Sequence, residues 1–199
     1  MVQLLAARYH SMEDTSLIAR ARDWVVAQYP YNRAHLLRAL EWLDRVAPGS
    51  PDAVRLATLT HDMERAFPGP DQPAHTTLVD PDYEQAHADR SARIVGDWLR
   101  GHRADPGLVE EVERLVRAHE TGGWPEADLV QAADSLSLLD TNIDLFLDFA
   151  RSGRFSVADV RRKFAVSRDR IRLPHLKALA EPLAARALER LDALEREHA

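Results

Sequence analysis

The stretch Asp105-Pro106-Gly107-Leu108-Val109-Glu110-Glu111-Val112-Glu113-Arg114-Leu115-Val116-Arg117-Ala118-His119 carries the two signals that decide the fold. Proline at a first helical position loses nothing, because the N–H it lacks would have had no partner there. Asp105 in front of it accepts from the next free donors. Behind this start, Leu108, Val112, Leu115 and His119 recur with the 3.6-residue period of an amphipathic helix. The stripe that should face a core therefore ends in a histidine.

The same punctuation recurs along the chain. Ser50-Pro51 and Asp80-Pro81 repeat the cap-then-proline start, and Leu36, Leu40, Leu43 and Val46 form a second apolar stripe. Ser156 with Asp159 three residues later resembles a capping box in which Asp replaces the usual Glu. Gly101, Gly122 and Gly153 stand where helix ends are expected. These signals predict helices over 15–28, 31–47, 51–66, 81–100, 106–120, 125–151, 156–170 and 174–197, with Pro182 kinking or splitting the last. No β-branched alternation is long enough to argue for strands. No repeat or composition break divides the chain, so residues 1–199 are expected to form a single all-α, helical-bundle domain.

Composition narrows the function. The chain of 199 residues has a net charge of −6, which argues against a surface that coats nucleic acid. It has no cysteine, which excludes disulfides, thiolate metal sites and a Cys nucleophile. No apolar run reaches the ~18 residues of a membrane span, and Arg8 interrupts the N-terminal apolar stretch before a signal core forms. A cytoplasmic protein without membrane association is expected.

Nine histidines remain as the natural soft ligands. His61-Asp62 closes the predicted third helix, and Val54 and Ala57 share the face of His61, so the pair points along a buried stripe. An ionisable pair facing a core needs a partner, and a metal cation is an economical one. His35 lies on the stripe of Ala39, Trp42 and Val46. His87 shares a face with Ser91, Ile94 and Trp98. Asp134 sits in Gln131-Ala132-Ala133-Asp134-Ser135-Leu136, a carboxylate inside an apolar helix. Any one of these could be a hydrogen-bonded core residue; five helices each offering one is a pattern. Imidazole with carboxylate suits Mn, Fe, Co, Ni or Zn, and open positions on such ions suit hydrolysis or oxygen chemistry.

The order His35, His61-Asp62, His87, His119, Asp134 resembles the HD superfamily of metal-dependent phosphohydrolases, over roughly residues 30–140. Thr58-Leu59-Thr60-His61-Asp62 looks like that family's approach to its His-Asp pair. His119-Glu120-Thr121-Gly122-Gly123 looks like the His-x-Thr-Gly segment of two-metal members, including the diadenosine tetraphosphate hydrolases. Continued through Trp124-Pro125, the segment also faintly resembles HD-GYP cyclic-dinucleotide phosphodiesterases. Two departures stand out: Glu64 and Arg65 replace the small residue and Lys that commonly follow the pair, and Ala118 precedes His119 where HD-GYP enzymes have tandem histidines.

The resemblance implies that His35, His61, Asp62 and Asp134 hold one divalent ion, and that Asp62 bridges to a second held by His87 and His119. Asp62 would thus be the central catalytic ligand. Two such ions activate a hydroxide and neutralise the leaving oxygen of a small phosphate ester or anhydride, in keeping with a nucleotide substrate. Arg38, Arg65 and Arg90 each follow a ligand by three residues, one helical turn, and are the expected substrate-binding groups; Lys163 and Arg168 are weaker candidates. Two other readings are a mixed-valent diiron oxygenase resembling inositol oxygenase, in which Gly122 and Gly123 would stand where a substrate-binding Lys is usual, and a non-catalytic metal-dependent sensor. The proline-rich Phe67–Asp80 loop should border the site, with His75 outside the ligand set.

Overall fold

The computed structural model describes residues 16–74 and 76–197. Among them the protein is all α-helical: α1 (Leu17–Gln28), α2 (Arg33–Val46), α3 (Asp52–Thr60), α4 (Pro81–Gly101), α5 (Pro106–Arg117), α6 (Pro125–Thr141), α7 (Ile143–Arg151), α8 (Val157–Asp169) and α9 (Pro174–Glu197), with a 3-10 turn over Met63–Ala66. None of these helices is long and apolar enough to cross a membrane. The region around Arg8 and the residue His75 lie outside the described residues.

Local chemistry explains most boundaries. Asp80 and Asp105 each accept from two backbone donors of the helix they start, with proline next in line. Ser156 and Asp159 form the reciprocal capping box. Ser50 does not cap α3, contrary to expectation: its hydroxyl donates to the Ala47 carbonyl, and Pro51 takes the cap position.

Three other expectations are corrected. The helix foreseen over 51–66 stops at Thr60, whose hydroxyl donates back to Leu56, and His61-Asp62 occupy the turn before the 3-10 segment. The helix foreseen over 125–151 is broken at Asn142 (φ −98°, ψ 8°), next to Thr141, whose hydroxyl bonds to the Ser137 carbonyl. Pro182 does not end α9. Pro182 and Ala178, whose carbonyl loses its helical donor, are both exposed residues.

α6 is the axis of the fold. It is buried nearly all round, as its almost uninterrupted run of small and apolar residues requires. Ala127, Val130 and Ala133 pack with α1–α5, while Ala132, Leu136 and Leu139 pack with α7–α9. Asp134, on this same helix, is 4% exposed, so its carboxylate must find partners inside the protein.

Candidate metal centre

Five elements deliver six side chains to one place where α2–α5 meet α6. His35 comes from α2, His61 and Asp62 from the turn after α3, His87 from α4, His119 from just beyond α5, and Asp134 from α6. His61, His87 and His119 have no exposed surface at all. The donor atoms of His35, His61 and Asp62 lie within 4.8 Å of one another, as do those of Asp62, His87 and His119, so Asp62 is common to both groups. The structure thus brings together all six residues singled out as ligands.

Hydrogen bonds at the far side of each ring fix which nitrogen points inward. His61 Nδ1 donates to the Thr58 carbonyl (2.9 Å) and His119 Nδ1 to the Val116 carbonyl (2.7 Å). His87 Nδ1 donates to Glu64 Oε1 at 3.0 Å. The Ser137 hydroxyl gives its only proton to the His35 carbonyl (2.7 Å), so it must accept from His35 Nδ1 (3.0 Å). In the neutral rings all four Nε2 atoms therefore carry bare lone pairs directed at the centre, the orientation seen when an outer partner fixes a metal-binding histidine.

What these atoms face is more negative density. His35 Nε2 is 3.3 Å from His61 Nε2, and Asp134 Oδ1 lies 3.1 Å from the first and 3.3 Å from the second. His87 Nε2 stands 2.9 Å from Asp62 Oδ1 without hydrogen-bonding to it, and the Nε2 atoms of His87 and His119 have no hydrogen-bond partner among the described residues. Lone pairs and carboxylate oxygens gathered in this way repel one another unless a cation or protons sit among them. Two ligand atoms each ~2.1 Å from one ion stand roughly 3.0–3.4 Å apart, which is the spacing found on the His35 side. These buried groups could hold a metal ion.

The electrostatics differ around the cluster. Burial alone would push the Asp62 and Asp134 carboxyls up, but Arg65 and His87 beside Asp62, and His61 and His35 beside Asp134, hold both well below the usual carboxylate range. Burial likewise favours neutral His61, yet Asp134 outweighs it and leaves that ring above its ordinary value. At His119 burial dominates, helped by His61 and His87, and the ring stays neutral well below its ordinary pKa.

The cluster opens into a cavity of about 570 Å³. His35, Asp62 and Asp134 form part of its wall, and Gly69, Gln72, Pro73, Ala74 and Leu78 bring the Phe67–Asp80 loop into it. Apolar surface comes from Leu138, Phe146 and Phe149, and positive charge from Arg65, Arg154, Lys163 and Arg170.

Of the arginines expected to bind substrate, only Arg65 reaches this cavity. It is about a third exposed, and Nη1 lies 3.5 Å from Asp62 Oδ2. Arg90 is a buried brace: it donates to the carbonyls of Glu64 and Phe67 and pairs with Glu64 and Asp71. Arg38 donates to Asp140 and Glu41 and is not among the residues lining the cavity. A spacing of three residues places a side chain on the ligand's helix face but does not exclude nearer carboxylates. Lys163 lines the cavity, whereas Arg168 pairs with Asp169.

Four functional neighbours were not picked out in the sequence as supports of the cluster: Glu64, Glu120, Ser137 and Arg170. Ser137 shares the face of Asp134 at one turn's spacing, a usable signal. Arg170 carried none, because it reaches Asp134 only through the packing of the C-terminal helices on α6.

No family model matches the chain, and no curated protein or solved structure matches it either.

Proposed function

We propose that the protein is a metal-dependent phosphohydrolase of the HD type, acting on a small phosphate ester or anhydride such as a nucleotide. The observation that supports this best is the joining of two features in one cavity: inward-facing imidazole and carboxylate donors, and cationic side chains suited to phosphate. Asp62 is the group common to both donor sets, and Asp134 and His35 border the same space. Divalent ions held there would lower the pKa of bound water toward ~7 and neutralise phosphoryl oxygens.

The protein's own groups then bind and orient. Arg65, beside Asp62 and partly exposed to the cavity, offers a fork of N–H donors to a phosphoryl group. Arg154 stacks on Phe149, with its guanidinium carbon 4.6 Å from the ring centre, and lines the cavity. It can meet a second charge or the body of the substrate. Tyr29 lines the same cavity and keeps its phenol proton because burial raises its pKa, so it acts as a donor. Apolar walls at Leu138, Phe146 and Phe149 exclude water from the remainder of the ligand.

The test compares Mn-loaded and Fe-loaded protein, with and without O₂, against nucleotides and phosphonates. Phosphate release by the Mn form under anaerobic conditions is expected. Activity confined to the iron form, with O₂ consumed in step with product, would overturn hydrolysis in favour of a diiron oxygenase.

A further inference from the structure

Arg170, just past the end of α8, is a buried guanidinium that joins two of the carboxylates facing the histidines, Asp134 and Glu120. Its Nη2 pairs with Asp134 Oδ2 and its Nη1 with Glu120 Oε2, while Nε donates to the Ser135 hydroxyl at 2.8 Å. All three nitrogens are committed, and the side chain is 11% exposed, so the group is a brace and is not available to substrate.

The consequence is the same at both carboxylates. With Oδ2 of Asp134 held, Oδ1 is left facing His35 and His61. With Oε2 of Glu120 held, Oε1 is left 3.5 Å from His119 Nε2. That nitrogen is fully buried, carries a bare lone pair because Nδ1 is spent on Val116, and has no hydrogen-bond partner among the described residues. The Glu120 side chain is 8% exposed, and its oxygen, a His119 nitrogen and an Asp134 oxygen lie within 4.8 Å of one another. A carboxylate held by one oxygen beside an orphaned imidazole is the arrangement a shared cation would organise, since ligand atoms at ~2.1 Å from one ion fall at about this separation.

We infer that Glu120 is a further metal ligand, sharing an ion with His119 and Asp134, and that Arg170 is the positioning residue that presents both Glu120 and Asp134 to the metal centre. The inference rests on the reading of the cluster as a metal centre, and it makes the centre depend on a residue from outside the 30–140 core.

The test is metal binding, read without reference to activity. Protein stripped with chelator is titrated with Co²⁺ and followed by its visible spectrum and by calorimetry, for the wild type, Glu120→Gln, Glu120→Asp and Arg170→Lys. Wild type is expected to take up two ions. Glu120→Gln should weaken one of them by 10-fold or more and leave the other within twofold, with Glu120→Asp recovering part of the loss. Arg170→Lys, which keeps the charge but loses the fork, should weaken both and alter the spectrum of each. Thermal melting identifies any variant that fails to fold, and Glu120→Asp then carries the test. Two ions bound by Glu120→Gln with wild-type affinities would overturn the ligand assignment. Wild-type affinities and spectra in Arg170→Lys would overturn the positioning role. If wild type binds no Co²⁺ at all, the metal-centre reading itself fails, and the inference with it.

Discussion

The two halves of the cluster use the same ligand types but are finished differently. On the His35 side, both imidazole nitrogens find Asp134 Oδ1 within 3.3 Å, and that carboxylate is anchored by Arg170. On the His119 side, the Nε2 atoms of His87 and His119 have no hydrogen-bond partner among the described residues. Protons shared with Asp134 can hold the first half together, which is why His61 is easier to protonate than an ordinary histidine. The second half is held from behind by the Val116 carbonyl and by Glu64; a proton can bridge His87 Nε2 to Asp62 Oδ1 at 2.9 Å, but His119 Nε2 has its nearest carboxylate oxygen 3.5 Å away. The first half can close on itself by shared protons, and the second, at His119, could be closed by a cation.

The sharpest way to break this comparison is at the residue that belongs to both halves. Asp62→Ala should abolish metal retention more completely than any single histidine change, exceeding the ~10–100-fold loss typical of removing an outer partner. Stoichiometric metal in that variant, measured after purification without chelators or a nickel column, would mean that the halves are independent.

The next effect separates them. Ser137→Ala removes the group that fixes the His35 ring, and Glu64→Ala the one that fixes His87. Each should cost roughly 10–100-fold in affinity, but for different ions. Glu64→Ala should also lower thermal stability, because it strips Arg90 of a buried partner. Equal losses of both ions in either variant would show that the cluster behaves as one site.

The smallest effect is one of protonation in the metal-free protein. A histidine whose folded pKa is raised contributes stability below its unfolded value of ~6.5 and loses it as pH rises, which is the case of His61. His119 is depressed, so its contribution is present above ~6.5 and is lost as pH falls through its lower folded value. Asp62 and Asp134 are depressed too, and theirs is complete above ~3.9 and drains away below it. An NMR titration should find His61 protonating first on acidification, then His119, with stability falling at the acid end. The reverse order of the two histidines would erase the asymmetry.

Much of the architecture was legible in local terms. Asp105-Pro106, Asp80-Pro81 and the Ser156–Asp159 box mark helix starts because a cap is a contact among near neighbours, and these are the starts observed. The break at Asn142 was not legible, since nothing in the apolar run from Val130 to Phe149 announces that Thr141 will bond back to Ser137. That Pro182 does not split α9 was not legible either: its cost depends on which face is exposed, and it lies on the exposed one.

At the cluster the same division holds. His35, His61, His87, His119 and Asp134 stood out because polar groups on apolar helix faces are conspicuous in the periodicity, and inward faces of neighbouring helices meet. Which nitrogen of each ring points inward, which arginine turns to the cavity and which to a carboxylate, and that Arg170 braces Asp134 and Glu120 are contacts between groups far apart in the chain. The sequence by itself determined the helices and the chemical types on their buried faces, because both follow from interactions within a turn or two. Only the tertiary structure decided how those groups are partnered, because a hydrogen bond or ion pair between distant residues is chosen by distances of a few ångströms, which packing alone sets.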